Sequence, residues 1–550
     1  MKRVITFFLI FLTIGLFNSS VIFAQTDTVI VPTSIDGDPY GAINKFIQGD
    51  TTATGERNNP DRVYKLQRDS IYYLSGTLKA PFNLKLVADA PDETHRPPII
   101  TTGIGPNGEK VGSYFKFFGN ILLKNLYIQH TPPTGGIAVW GTVQQVKDSA
   151  TYRYEGCYFE GGNWWTTIAT WAKHTKVFIT DCYFRNVENP SNVWNGVGIT
   201  FANNDVDTLE VTNTTFFNHG SFAIQGELNN SNYVRFEHNT FVNSVKNPIW
   251  WKYYYKNFNV SNNIFYNAHS LGSGPAFRNV SDPDSLEAGI IQIYHLPKKY
   301  TDTLGLDESQ RIVRLHNNDY FYSQVIKDYW NANDTIMGTP WMNARVRSMF
   351  DDDTNFPGMD EQNTMNLDPG FVEVGKGEDS LAVWMTKWRA KEPTQLWGWD
   401  PDGDRFAVQW PLPENLSYTN ATLLTAADGG FPIGDLNWFP DKKQDWITGI
   451  KKVNNTKPNN FILEQNYPNP FNPETNIQYS LPKTAKVNIS VFNSLGQKIA
   501  TLVNSKQNAG KYRVKWNGKD FSGNEVASGV YFYKLNTGAY TLTRKMILLR

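Results

Sequence analysis

The segment Val177-Phe-Ile-Thr-Asp-Cys-Tyr-Phe184 decides the fold of this chain, because its pattern recurs along the sequence. Apolar residues occupy alternate positions, which is the period of a β-strand and not of a helix. Copies of the pattern occur at Tyr152–Phe159, Leu209–Phe216, Val234–Phe241, Phe258–Phe265 and Val313–Tyr320, with a looser copy at Ile121–Tyr127. From Phe159 onward, the terminal aromatic residues lie 25, 32, 25, 24 and 55 residues apart, and the longest interval fits one repeat with an insertion over 279–311.

A repeat of about 25 residues built from short strands predicts an all-β fold, a right-handed parallel β-helix whose coils stack around one core. The terminal aromatic residues would then form one column along the core. The position two residues earlier would form a second column, which contains Cys157, Cys182, Thr214, Asn239, Asn263 and Asn318. Asn suits such a column because it tolerates the left-handed turn conformation and its amide can bond to the next coil. Both columns are interpreted as structural.

Cys157 and Cys182 are the two cysteines of the chain, too few for a disulfide scaffold. They occupy equivalent places on neighbouring coils, so their α-carbons are expected about 4.8 Å apart. A disulfide is geometrically feasible at that distance. Two packed thiols are the favoured interpretation, since buried cysteine is common and in-register neighbours often lack suitable disulfide torsions.

The first residues have the layout of a secretory signal peptide, with Lys2 and Arg3 before an apolar run over Val4–Phe17 and small residues up to Ala24. This run is shorter than the roughly 20 residues that span a bilayer, so no transmembrane anchor is expected. Lys plus Arg and Asp plus Glu each number 52, which gives no reason to expect a nucleic-acid partner.

The change in pattern along the chain predicts six segments. The β-helix is expected to be followed by a small β-sandwich, because short alternating strands near the C-terminus are separated by Gly, Pro and Asn turns. The segments are a signal peptide (1–24), an N-terminal cap with the first coils (25–120), the repeats (121–350), a C-terminal wrap of the β-helix (351–447), a polar linker (448–460) and the sandwich (461–550).

The C-terminal segment carries more specific wording than a sandwich requires. It contains Phe461-Ile-Leu-Glu-Gln-Asn-Tyr-Pro-Asn-Pro-Phe-Asn-Pro473, the strand Val487–Phe492, Val526–Tyr533 and the terminal Lys545–Arg550. These motifs closely resemble the type A C-terminal sorting domains of the type IX secretion system of Gram-negative bacteria. The resemblance implies passage across both membranes, interaction with the secretion machinery, and release from the cell or attachment to its surface.

The central region broadly resembles the pectate-lyase-like β-helix superfamily, including its Asp-Pro-Gly-Phe segment, here Asp368–Phe371. That superfamily is rich in polysaccharide lyases, hydrolases and esterases. The specific catalytic motifs do not carry over, since neither an Asp-Asp pair with Gly-His-Gly nor a clear Asp cluster with an Arg base is found. The high aromatic content, with 17 Trp and 27 Tyr, also favours a polysaccharide partner.

The repeat places a candidate binding surface on the strand that follows each aromatic residue. Five aligned apolar positions, Ile168, Ile199, Ile224, Ile249 and Phe277, are expected to point inward, so that their neighbours point outward. One outward row contains Ala169, Thr200, Gln225, Trp250 and Arg278, and the next contains Trp171, Ala202, Glu227 and Lys252. Trp171 and Trp250 suit stacking on sugar rings, while Gln225 and Glu227 suit bonding to hydroxyls. A solvated face with incidental aromatic residues is the alternative.

The same surface supports a polysaccharide lyase as an alternative to binding. Arg278 would neutralise a uronate carboxylate, and Lys252 would remove the adjacent proton if its pKa were lowered. Glu227 would oppose this role if it paired with Lys252 and kept that amine protonated. A structural or adhesive surface protein is the third functional class.

Asp400, Asp402 and Asp404 alternate within a turn and form a candidate calcium site, because calcium prefers carboxylate and carbonyl oxygen ligands. The turn lacks the glycine and the downstream glutamate of the familiar twelve-residue calcium loop. A plain turn stabilised by Asp side chains is the alternative.

Overall fold

The computed structural model describes residues 27–102, 111–130, 141–162, 164–201, 204–226, 230–251, 256–273, 288–296, 302, 305, 307–333, 336–401, 408–447, 451–454 (backbone), 460–507, 509–521, 525–538 and 540–549. The predicted signal peptide over 1–24 lies outside these residues. Within them, the chain forms a parallel β-helix followed by two small antiparallel sheets. The predicted β-helix and C-terminal sandwich are therefore confirmed.

Each coil of the β-helix passes through three parallel sheets, which we number in the order in which a coil meets them. The described strands of sheet 1 are Thr28–Ile30, Val63–Lys65, Leu84–Val87, Ile121–Lys124, Thr151–Glu155, Thr175–Thr180, Val206–Thr212, Ser231–Glu237, Asn257–Ser261, Ile312–His316 and Met359–Gln362. Those of sheet 2 are Ile71–Leu74, Ile99–Thr102, Tyr127–Gln129, Tyr158–Glu160, Tyr183–Val187, Thr215–His219, Thr240–Ser244, Ile264–Tyr266 and Asp319–Phe321. Those of sheet 3 are Leu78–Ala80, Phe115–Phe117, Gly141–Gln145, Thr166–Thr170, Val197–Thr200, Ile224–Gly226 and Ile249–Trp251.

The aromatic column predicted from the repeat runs through the core along sheet 2. Ring centroids lie 4.7 Å apart for Phe159 and Phe184, and 4.9 Å apart for each later pair up to Phe265. All these rings are buried. Both cysteines of the neighbouring column are buried free thiols, as favoured from the sequence. Burial raises the pKa of the Cys182 thiol well above its usual value, which keeps this thiol protonated.

The predicted asparagine column is a continuous hydrogen-bonded ladder between sheets 1 and 2. Asn239 donates its side-chain amide to Asn263 Oδ1, and Asn263 donates to Asn318 Oδ1, each over 3.0 Å. Each amide also donates to a backbone carbonyl of the coil, for example Asn239 to Val211 over 2.9 Å. The ladder therefore satisfies polar groups that the closed core would otherwise leave without partners.

A second asparagine ladder lies two residues after the aromatic column, at the end of sheet 2. Asn186, Asn218, Asn243 and Asn267 all have left-handed backbones, with φ between 52° and 57°. Each later amide donates to the Oδ1 of the preceding asparagine over 3.0 Å. At the end of the ladder, Asn267 also donates to Glu378 over 3.0 Å.

The described helices are short and lie outside the coils. They are Ala42–Gln48, Gln324–Asn331, Ala344–Phe350, Gly377–Arg389 and Pro440–Ile447, with 3₁₀ turns at Glu308–Gln310, Leu423–Thr425 and Leu436–Trp438. The first caps the N-terminal coils, where Ile43 and Ile47 enter the core. Sequence periodicity alone did not separate these helices from the irregular segments around them.

The segment after the last coil packs along the outward face of sheet 2. It includes the antiparallel pair Phe371–Glu373 and Asn415–Tyr418. Its apolar side chains, including Leu416 and Ile433, form a separate cluster with the outward side chains of sheet 2. Gly434 approaches so closely that a β-carbon there would lie 2.7 Å from Thr240 Oγ1, and its φ of 78° also favours glycine.

Buried charges fasten this segment to sheet 2. Arg185 lies between Glu160 and Glu414, and its Nε is 2.9 Å from Glu414 Oε1. Tyr183 donates its hydroxyl to the same Glu414 carboxylate over 2.6 Å. Because Glu414 lies more than two hundred residues after both partners, these contacts close the segment against the coils.

The C-terminal domain is built from two antiparallel sheets. One contains Lys451–Asn454, Ile462–Leu463, Thr475–Leu481 and Gly510–Trp516, and the other contains Ala485–Asn493, Lys498–Gln507, Gly529–Asn536 and Thr541–Leu548. Trp516, Tyr533 and Val491 are among the buried residues of its own hydrophobic core. The two sheets enclose that core as the alternating pattern predicts.

Candidate functional site

The register of sheet 3 agrees with the predicted alignment in the described part of the chain. Ile168 pairs with Ile199, Ile199 with Ile224, and Ile224 with Ile249. All four side chains are buried in the core. The outward row is in register as well, since Ala169, Thr200, Gln225 and Trp250 are backbone partners in the same order. Phe277, Ala202 and Arg278 lie outside the described residues.

Trp171 lies at one end of this outward face, immediately after the strand Thr166–Thr170. Its ring is 44% exposed and lies 5.3 Å from the ring of Trp165, with an interplanar angle of 39°. The backbone N–H of Trp171 donates to Gln145 O over 2.8 Å, which fixes the residue to the preceding coil. Two indoles therefore flank one strand, and one of them is substantially accessible.

Trp250 forms a second aromatic cluster further along the same face. Its ring stacks on Phe222 with centroids 4.3 Å apart and planes 15° from parallel. Trp194 lies 6.0 Å from both rings and is 51% exposed. Trp194 therefore presents an accessible indole beside a packed aromatic pair.

The two aromatic clusters are separated by three steps of the β-helix. At about 4.8 Å per coil, Ala169 beside Trp171 and Trp250 lie roughly 14 Å apart along the axis. Thr200 and Gln225 occupy the same row between them, and Gln225 is only 8% exposed. The accessible part of this stretch is accordingly dominated by indole rings.

Lys246 adds a cation to the second cluster. Its Nζ lies 3.4 Å from the centroid of the Trp194 ring and 5.9 Å from that of Phe222. Burial lowers the pKa of this amine to about 7. The ammonium thus lies over an aromatic face, a geometry stabilised by cation–π attraction.

The remaining predicted site residues receive no geometric test. Glu227, Lys252, Asp402 and Asp404 lie outside the described residues, as does Arg278. Asp400 is described and partly buried, and calcium binding there stays a prediction. In the part of the chain that the structure describes, no group of three His, Cys, Asp or Glu side chains is arranged to hold a metal ion.

The tryptophans between Trp384 and Trp410, the other aromatic-rich part of the sequence, mainly fasten the outer segment to the coils. Trp384 and Trp397 are each 3% exposed. Trp384 donates its indole N–H to Pro190 O over 3.1 Å, and Trp410 donates to Asp92 O over 2.7 Å. These contacts span long stretches of sequence and are structural.

Sequence reasoning missed Trp165, Trp194, Phe222 and Lys246. Trp194 and Lys246 belong to turns, where the alternating pattern that locates outward positions is absent. Phe222 follows Gly220 and Ser221 just before a strand. The 25-residue offset between Phe222 and Asn247 was the available signal that this turn recurs in the next coil.

Comparison with known proteins identifies the C-terminal part of the chain. The family of secretion system C-terminal sorting domains matches residues 465–549. No curated protein matches the sequence significantly. No helix in the described ranges is both long enough and apolar enough to cross a membrane.

Two solved structures from Porphyromonas gingivalis are also similar over a small part. PorZ, titled an essential bacterial surface component of the type-IX secretion system, is 20% identical, with 18% of this chain and 13% of PorZ covered and a TM-score of 0.13. Dimeric latent PorU is 16% identical, with 18% of this chain and 10% of PorU covered and a TM-score of 0.15. These low scores carry no argument about the β-helix. Residues 465–549 form a type IX secretion C-terminal sorting domain, so this β-helix protein is exported across the outer membrane and is secreted or surface-attached.

Proposed function

We propose that the β-helix binds an extracellular polysaccharide along the outward face of sheet 3. The observation that carries this proposal is the placement of two exposed indoles, Trp171 and Trp194, in two aromatic clusters on one side of the helix. Large exposed indoles grouped on a regular surface favour a binding role over incidental exposure.

The form of the surface also supports a long ligand. The clusters are about 14 Å apart along a straight array of parallel strands, so an extended chain can contact both. Their rings offer flat apolar faces, while indole N–H groups and Gln225 offer polar edges. Export by the sorting domain places the protein where polysaccharides are encountered.

Polysaccharide cleavage is the second candidate function. It depends on Arg278 as the group that neutralises a uronate and on Lys252 as the base, neither of which is among the described residues. The favouring observation is their position in the sequence, within the same two outward rows as Trp250 and Trp171. Binding does not require these roles and is the primary proposal.

The test is retention of the mature full-length chain on a panel of immobilised acidic and neutral polysaccharides. Binding to at least one polymer, weakened by Trp250→Ala, is the expected result. New unsaturated ends, detected by ultraviolet absorbance, would assign a lyase. Failure of the folded protein to bind any polymer in the panel would contradict the proposal and favour a structural or adhesive role.

A further inference from the structure

Lys246 is a buried cation whose charge has no opposing partner. It follows the sheet 2 strand Thr240–Ser244, in the turn toward sheet 3, and is 8% exposed. Beyond its aromatic contacts, Lys246 Nζ makes no hydrogen bond or ion pair in the described part of the chain. Burial is the sole cause of its lowered pKa, so no nearby carboxylate compensates for the lost hydration. Lysine is rarely buried in this way without a partner.

Ser221 is the equivalent residue of the preceding coil. His219 pairs with Ser244 and Ile224 pairs with Ile249, so an offset of 25 residues holds on both sides of the turn. Ser221 is therefore opposite Lys246. The Ser221 hydroxyl is buried and has no hydrogen-bond partner within the described residues. Two adjacent polar groups without partners are unusual, because folded chains satisfy most buried donors.

The surroundings of Lys246 are positively charged. The pKa of buried His269 is lowered to about 3, first by desolvation and then by the charges of Lys246 and Arg389. Arg389 is held in place by Tyr329 Oη and Leu271 O, each at 2.5 Å. This corner of the fold therefore favours a negative charge.

The corner is continuous with the proposed polysaccharide surface. Trp194 contacts the Lys246 ammonium and also belongs to the aromatic cluster with Phe222 and Trp250. A sugar ring placed against the accessible half of Trp194 would bring a substituent close to Lys246. An acidic substituent would replace a cation–π contact with a charge-assisted hydrogen bond, which is the stronger interaction.

We propose that Lys246 and Ser221 form a subsite for the anionic group, a carboxylate or a sulfate, of a sugar residue that packs against Trp194. This inference rests on the proposed function and adds the class of polysaccharide, which is acidic. Lys246 supplies the charge and Ser221 donates a hydroxyl hydrogen bond, while the aromatic cluster holds the sugar ring.

Calorimetric titration of the mature full-length chain with three probes tests the subsite. The probes are an oligogalacturonate, a sulfated galactan oligosaccharide and a neutral galactan oligosaccharide. Lys246→Met should weaken binding of the preferred acidic probe about tenfold to a hundredfold, as expected for the loss of a charged hydrogen bond, and leave neutral binding unchanged. Ser221→Ala should weaken acidic binding about threefold to tenfold. The acidic probe that binds more tightly identifies carboxylate or sulfate.

Two controls separate a subsite from a change in the fold. Lys176→Met removes an exposed lysine of sheet 1 and should leave all titrations unchanged. Ser221→Ala removes only an unbonded hydroxyl, so it keeps the test valid if Lys246→Met fails to fold. Wild-type preference for the neutral probe, or acidic binding unaffected by both substitutions, would overturn the subsite while leaving polysaccharide binding intact. Absence of all binding would overturn both proposals.

Discussion

Phe216 and Phe241 stack with ring centroids 4.9 Å apart and planes 8° from parallel, although they lie 25 residues apart in sequence. Each ring also has a stacked neighbour on its other side, at Phe184 and Phe265 respectively. The column joins successive coils through one continuous core. Its loss at any member therefore affects the contacts between three coils.

Phe241→Ala should lower the free energy of unfolding by about 3–5 kcal/mol, because it removes a fully buried ring and leaves a cavity. Chemical denaturation measures this change, and Phe216→Ala should behave alike. Ile30→Ala, at an exposed position, should change stability by less than about 0.5 kcal/mol. Equally small losses at both phenylalanines would contradict the buried column.

Asn243 should be sensitive to both its backbone conformation and its amide. Asn243→Ala is expected to cost about 2–4 kcal/mol, since alanine is strained at φ 56° and the ladder bonds to Asn218 and Asn267 are lost. Asn243→Gly relieves the strain and should cost roughly half as much. Denaturation of the two variants separates these causes. An alanine variant as stable as the glycine variant would refute the strain argument.

Asp435 should make stability depend on pH. Its pKa is raised to about 7, chiefly by burial, although hydrogen bonds from Thr215 and Asn437 and the charge of Lys443 oppose the shift. Since the folded pKa exceeds the unfolded value, its stabilising contribution is full below about pH 4 and is lost as the pH rises through about 7. Asp435→Asn should gain roughly 2–4 kcal/mol over wild type when pH 8 is compared with pH 4. Denaturation curves that change in parallel for both proteins would contradict this assignment.

Deletion of residues 461–550 should leave the protein in the periplasm, because the sorting domain directs passage across the outer membrane. Cell fractionation and proteolysis of intact cells measure the location. A periplasmic reporter fused to residues 461–550 should reach the outside in the same strain. Normal surface appearance of the truncated protein would disprove the assigned role of the domain.

The repeat made the core predictable, whereas the turns remained less so. Alternation placed Phe216, Asn239 and Ile224 correctly, because strand geometry and a regular repeat determine which positions face inward. Asn243 was missed as a ladder residue, since its left-handed backbone interrupts what reads as a continuous strand. Trp194 and Lys246 lie in turns, whose paths depend on contacts distant in sequence. The low exposure of Gln225 likewise depends on what packs over the sheet and not on its position in the strand.

The most direct test of polysaccharide binding is a titration of the polymer that the wild-type chain retains best with the Trp171→Ala/Trp250→Ala variant. We predict that its affinity falls by about 2–6 kcal/mol, the expected sum for two aromatic anchors at about 1–3 kcal/mol each. Phe521→Ala, which removes an exposed ring of the sorting domain, should bind as the wild type does. Unchanged affinity of a correctly folded double variant would contradict the assignment of the site to sheet 3.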